Sequence, residues 1–154
     1  MAVKIEQASE YESLWPLFLL ADPSRDAILE YIADSEIFVS KDGKSIAGVC
    51  VLSKIDSREY EIKNIAVLPE YQGRGIGNQM LEYVKNYVQE RGSFALKICT
   101  GNSSIHQLRL YKRLGFKVQS SIEDYFIEKY PNPIYENGIL CKDLIILSQE
   151  LQKA

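Results

Sequence analysis

The chain has 154 residues, 46% of them hydrophobic and 25% charged, proportions that fit one globular domain, residues 1–154, able to bury roughly two-thirds of its unfolded surface. Its 18 basic and 21 acidic residues leave a formal net charge of −3, and no basic run of the kind that coats a phosphate backbone occurs, so a nucleic-acid partner is disfavoured. No apolar run reaches the roughly 18 residues of a membrane span, and Met1 to Glu10, which carries Lys4, Glu6 and Glu10, reads as folded chain instead of a signal peptide.

Cys50, Cys99 and Cys141 are odd in number, widely spaced and set among Val, Ile and Leu, which suits reduced thiols in a cytoplasmic core better than disulfides. With His106 the only histidine, no metal site is expected.

In chain order, Val3 to Ala8 reads as a strand. Leu14, Leu17, Phe18 and Ala21 then recur at helical spacing, with Pro16 forcing either a kink or a start near Trp15. Asp22-Pro23 reads as the start of a second helix, an acceptor at N-cap followed by proline in the first turn. Three strands are predicted at Glu36 to Lys41, Ser45 to Asp56 and Glu59 to Leu68, with Asp42-Gly43 turning the first hairpin. Met80, Leu81, Val84, Tyr87 and Val88 then mark a helix, Phe94 to Thr100 a strand, Ser103 to Leu114 a helix and Gly115 to Lys129 an interrupted strand. After the loop at Pro131-Asn132-Pro133, Gly138 to Ser148 reads as the closing strand. The order β-α-α-β-β-β-α-β-α-β-β is an α/β layout around one mixed sheet flanked by helices. The apolar tail, Ile139-Leu140-Cys141 and Leu144 to Leu147, suits a strand that pairs with or crosses to a second copy in a homodimer, or an ordinary internal strand.

Between the third of the central strands and the next helix lies Gln72-Gly73-Arg74-Gly75-Ile76-Gly77. Three glycines there leave main-chain N–H groups without side-chain cover, and the positive end of the helix dipole adds to them, so an anion is the expected guest. A tight turn with a glycine helix start is the plainer reading. The Gly-Lys-Ser/Thr ending of a Walker loop is missing, and the G-x-G-x-G spacing fits a dinucleotide fingerprint poorly.

This segment resembles the Q/R-x-x-G-x-G/A signature of the GNAT N-acetyltransferase superfamily, preceded as in that family by a strand ending Ile65-Ala66-Val67-Leu68-Pro69. The later Leu110-Tyr111-Lys112-Arg113-Leu114-Gly115-Phe116 resembles its second hallmark, an aromatic-bearing helix end that turns into a strand, and Pro133 to Ile139 is similar to the tail of a bacterial subgroup. The resemblance implies a GNAT-like single-domain fold and acetyl-coenzyme A as cosubstrate. The pyrophosphate would then lie on the main chain of Gly73, Arg74, Gly75, Ile76, Gly77 and Asn78, with Gln72 in the same coenzyme-binding loop. The pantetheine arm would pair with the backbone of Ile65, Ala66 and Val67, and Asn102 would resemble the family asparagine that binds the arm. Because Ser104 stands at the usual seven-residue spacing from the tyrosine, Asn102 is equally readable as a turn or N-cap residue.

Acetyl transfer to an amine requires a neutral amine, a stabilised oxyanion and a proton for the departing thiolate. Glu61 stands where a glutamate of histone-type members removes the amine proton. Glu59 is its neighbour, and both are also readable as solvated strand residues. Tyr111 matches the tyrosine that protonates the leaving sulfur, while the i, i+3, i+6 row Ile105, Leu108, Tyr111 equally suits a packed ring. The resemblance implies an N-acetyltransferase acting by direct transfer on a small-molecule or peptide amine. The competing reading is a non-catalytic coenzyme A-binding sensor or assembly module. For the acceptor side, Asp22, Arg25, Asp26, Glu123, Asp124, Tyr125 and Glu128 are available to a cationic amine.

Overall fold

The computed structural model describes residues 3–151; the expectations placed on Met1, Ala2 and residues 152–154 lie outside them. The chain forms two compact units, one made of the residues up to Phe94 together with Leu151, the other of Ala95–Glu150.

In the first unit, β1 (Lys4–Gln7), β2 (Glu36–Asp42), β3 (Ser45–Lys54) and β4 (Glu59–Val67) pair antiparallel in sequence order. Alternation along the strands sends side chains to opposite faces. Ile37, Val39, Val49, Val51 and Ala66 meet Leu14, Trp15, Leu17, Phe18, Ile28 and Ile32 in one buried cluster. These last residues come from α1 (Trp15–Ala21), α2 (Arg25–Leu29) and the short 3-10 turns beside them. The opposite face receives α3 (Ile76–Glu90), whose buried stripe is Ile76, Met80, Leu81, Val84, Tyr87 and Val88. Phe38 stacks edge-on against Tyr87 with centroids 4.9 Å apart. A Cβ at Gly48 would crowd the Ala66 carbonyl oxygen of the paired strand at 3.0 Å as well as the movable Met80 Cε at 2.9 Å, so the close backbone favours a glycine in β3 where the helix crosses it. With both faces covered, β3 is buried without interruption from Ala47 to Leu52.

Local chemistry sets the helix starts. Pro16 sits in the first turn of α1, where its missing N–H costs nothing. The second helix begins two residues later than Asp22-Pro23 suggests. Asp22 Oδ1 accepts the Ser24 N–H at 3.1 Å, closing an Asx turn over the proline, and Ser24 Oγ then caps the helix by accepting the Ala27 N–H at 3.1 Å.

In the second unit, β5 (Ala95–Gly101), β9 (Leu144–Glu150) and β6 (Lys117–Ile122) pair antiparallel with β9 in the middle. Both edges of β9 are therefore taken within the chain, and it is an internal strand. The predicted strand over Gly115 to Lys129 is replaced by β6 and a short helix, α5 (Tyr125–Lys129). Asp124, at φ 56°, turns the chain between them, and its N–H donates to Asp143 Oδ1 at 3.0 Å. The predicted closing strand also divides. A hairpin of β7 (Ile134–Glu136) and β8 (Ile139–Cys141) turns at Asn137-Gly138, both at positive φ, before β9 begins. That dipeptide is a strong hairpin signal that the sequence reading passed over. Helix α4 (Ile105–Arg113) completes the unit.

Burial pushes the Cys50 thiol up from 9.0 to about 12. Burial, then the hydrogen bond to Glu36, pushes the Tyr87 phenol up from 10.0 to about 12. Both groups keep in the fold a proton that the unfolded chain releases at the lower, ordinary value, so their contribution is complete below that value and is lost as the pH rises towards 12. Urea titrations should give a midpoint that falls from about pH 9 to about pH 11. A thiol reagent near pH 8 should label half-buried Cys99 first and Cys50 only on unfolding.

Candidate active site

Strand β4 departs from regular alternation once. Val51 pairs with Asn64 but Leu52 pairs with Ile62, so Lys63 is an extra residue, a bulge that resets which face each later side chain takes. Directly opposed residues on neighbouring strands share a face. Asn64 lies with Val51 on the α1–α2 face, and Glu61, paired with Ser53, lies on that face too. Tyr60 and Ile62 are thereby turned to the α3 side and buried there. Glu61 is 8% exposed, not on a solvated side, and its Oε1 lies 2.9 Å from Lys63 Nζ. Glu59 is half-buried at the strand's start.

The same face carries polar groups that the sequence reading missed. Asn64 Nδ2 donates to the Phe18 carbonyl at 3.0 Å and to the Tyr31 hydroxyl at 3.2 Å, tying α1 and the segment after α2 to the strand that bears Glu61. Asn64 Oδ1 is buried without a hydrogen-bond partner among the described residues. Burial pushes the Tyr31 phenol up to about 12, against the opposing hydrogen bond from Asn64. Ser53 and Ser35 share a hydroxyl hydrogen bond of 2.5 Å beside them. The signal was present as Lys63-Asn64, two adjacent polar residues that no period-2 strand can place on one solvated face.

At the other end of β4, Ile65 and Val67 are half-buried and Ala66 buried. A 3-10 turn at Pro69–Tyr71 leads to the glycine loop. Gln72 Nε2 donates to the Val67 carbonyl at 3.0 Å, fastening the loop to the strand end, and the Tyr71 hydroxyl donates to Asp42 Oδ2 at 3.0 Å. Gly73 and Gly75 have φ of 78° and 81°, and added side chains there would meet nothing within 4 Å. Gly75 is the N-cap of α3, no side chain caps that helix, and its ladder opens with the Gln79 N–H donating to the Gly75 carbonyl at 3.0 Å. The preceding N–H groups of the first turn, Ile76, Gly77 and Asn78, have no partner within the helix. Residues 72–75 and Asn78 are exposed, whereas Ile76 anchors the turn in the core. Arg74 lies over the Tyr71 ring at 5.6 Å. Such a bare, positively polarised terminus suits a diphosphate.

Tyr111 and Asn102 belong to the second unit. Tyr111 is the buried residue of α4, 5% exposed and edge-on to Phe116 at 6.1 Å. Ile105 and Leu108 are only half-buried on the same helix. Asn102 is engaged within the chain: its Oδ1 accepts the Lys142 and Asp143 N–H groups at 2.8 and 3.0 Å, and Nδ2 donates to the Leu140 carbonyl at 3.2 Å. Ser103 and Ser104 both donate to Glu136 Oε1, at 3.2 and 2.9 Å, which moors the β7–β8 hairpin to the start of α4. Of the acceptor-side candidates, Asp22 and Asp124 shape turns, and Arg25 lies 4.0 Å over the Trp15 ring. Among the described residues no helix is long and apolar enough to cross a membrane, and no cluster of His, Cys, Asp and Glu could hold a metal ion.

The chain belongs to the acetyltransferase (GNAT) family, whose model matches residues 5–116, and it is an acyltransferase of that type. Its α/β fold, strands flanked by helices, is the family's. The uncharacterized N-acetyltransferase YvbK of Bacillus subtilis is 40% identical over 150 residues, 97% of either chain. Among solved structures, a GNAT acetyltransferase from Elizabethkingia anophelis with acetyl-CoA bound matches with a TM-score of 0.93 and 39% identity, covering 97% of this chain and 98% of that one. A Bacillus subtilis acetyltransferase in complex with CoA matches at 0.92 with 39% identity, over 98% and 100%.

The two glycines that differ in backbone geometry should respond differently to a methyl group. Gly77 has ordinary φ and a Cβ there would touch only Val67 Cγ2, at 4.0 Å, so Gly77→Ala should melt like the parent chain. Gly75→Ala must hold a left-handed residue and should lose about 1–2 kcal/mol in denaturant titrations.

Proposed function

We propose that the chain is an N-acetyltransferase that moves the acetyl group of acetyl-coenzyme A to a primary amine by direct transfer while both are bound, working in the cytoplasm as one domain over its whole length. The observation that carries this reading is the exposed, uncapped N-terminus of α3, opened by Gly73 and Gly75 and fastened by Gln72 to the end of β4. The relatives solved with acetyl-CoA and CoA support the same donor. The donor supplies an activated thioester; the remaining tasks fall to the chain. Main-chain N–H groups from Gly73 to Asn78 would hold the pyrophosphate, with the backbone of Ile65, Ala66 and Val67 pairing with the amide-bearing arm. Asn102 has one amide hydrogen left to offer the arm once its three bonds within the chain are counted.

Glu61 would take the proton of the acceptor's ammonium, directly or through water. Its burial and its place on the α1–α2 face support this over Glu59. Tyr111 would return a proton to the departing sulfur, and a main-chain N–H near Val67 would face the oxyanion. The acceptor is a small-molecule or peptide amine entering along α1 and α2.

Acetyl-coenzyme A should raise the melting temperature of the folded chain, since a ligand of the native state alone stabilises it by mass action. Gly75→Asp should abolish that shift by setting a carboxylate where the phosphates belong. An unchanged shift in the folded variant would reduce the loop to a turn.

For the amine that a thiol-release screen selects, Glu61→Gln should lower kcat/KM by about a hundredfold at neutral pH and recover in part as alkaline pH frees the amine. Tyr111→Phe should lower kcat by about ten- to a hundredfold with donor affinity unchanged. Wild-type rates from Glu61→Gln at every pH would move the role to Glu59 or to water.

A further inference from the structure

The bulge that turns Glu61 to the α1–α2 face also supplies an amine of its own. Lys63, the inserted residue, places Nζ 2.9 Å from Glu61 Oε1, with the lysine side chain one-third exposed and the glutamate side chain 11% exposed. Chemically this is a primary ammonium held against the proposed base by hydrogen bond and charge, the arrangement an acceptor amine must reach from solution. Two other pairs of comparable chemistry in the first unit lack this setting. Lys41 meets Glu6 at 2.5 Å between β2 and β1, where both side chains are more than one-third exposed, and Lys85 lies 3.7 Å from exposed Glu82 on α3.

We propose that Lys63 is an internal acceptor, acetylated by the protein's own transferase site when no external amine is bound; this rests on the acetyltransferase reading above. One ammonium proton passes from Nζ to the Glu61 carboxylate, and the freed amine attacks the acetyl carbonyl carbon of acetyl-coenzyme A. The Nζ–C bond forms and the C–S bond breaks. Coenzyme A leaves as the thiolate and takes up the second proton, which Nζ sheds as it becomes the amide nitrogen, and Glu61 returns its own proton to water. Tethering replaces a bimolecular encounter, so the reaction does not need a high amine concentration. The product is a neutral amide with no ammonium left to pair with Glu61, so acetylation also changes the charge that an incoming cationic acceptor meets.

The test uses the full chain and acetyl-coenzyme A, read by intact mass and peptide mapping, with the donor-induced melting shift measured on the same samples. The expected result is one acetyl group at Lys63. It should appear at a rate first-order in protein, at least tenfold faster than at Lys41 or Lys85, and at least tenfold slower in Glu61→Gln. Lys63→Arg should remove the modification without moving it elsewhere. A second readout needs no donor: a carbodiimide should join Glu61 to Lys63 with loss of one water. A melting shift with Lys63 unmodified overturns this inference and leaves the transferase reading standing, whereas no melting shift overturns both. Equal acetylation in wild type, Glu61→Gln and heat-unfolded chain marks ordinary chemical acetylation and overturns it. A rate second-order in protein, or no carbodiimide link, does the same.

Discussion

One extra residue in β4 organises the first unit. Without Lys63 as a bulge, strict alternation from Ala66 and Val67 would send Ile62 and Tyr60 to the α1–α2 face and Glu61 towards α3. The bulge reverses this. Two large side chains join the packing under α3, where burying each stabilises by about 1.5–3 kcal/mol, and a carboxylate is exchanged onto the face that already holds Asn64 and Ser53. The disrupted pairing is offset by that packing, and the strand both closes the core and presents a paired carboxylate and amine at one place.

The two ends of β4 are built differently. Towards Val67 the strand passes into a loop whose design is a lack of side chains: glycines at positive φ, a helix with no side-chain cap, and one glutamine amide fastening the turn. Towards Glu61 the design is side-chain rich, with Asn64 bracing Phe18 and Tyr31 against the strand. A diphosphate needs converging main-chain donors, whereas proton transfer from an amine needs an ionisable group in a constrained setting.

The second unit relies on moorings of another kind. Asn102, which resembles a ligand residue in sequence, secures the passage from β8 to β9 through both ends of its amide. Glu136 gathers the hydroxyls of Ser103 and Ser104 at the start of α4, the helix that carries Tyr111. A carboxylate near a helix start is favourably placed in the helix dipole. The hairpin that bears it thus helps to set where the tyrosine helix begins.

What the sequence determined by itself was whatever depends on neighbours along the chain. The glycine loop between a strand and an amphipathic helix, the central strands to within two residues, and the packing side of Tyr111 all follow from spacing and from the conformational freedom of particular residues. Tertiary structure decided whatever depends on pairing between distant segments. The facing of Glu61 was illegible because a bulge is a property of β3 and β4 together. The Lys63 contact follows from that bulge, and Asn64 acquires a role only when Phe18 and Tyr31 are folded against it. The split of the last predicted strand at Lys142-Asp143 depends on Asn102, some forty residues earlier, capturing both N–H groups. Local propensity carries no information about such partners, because the free energy that selects them comes from burial and hydrogen bonding between segments that meet only in the fold.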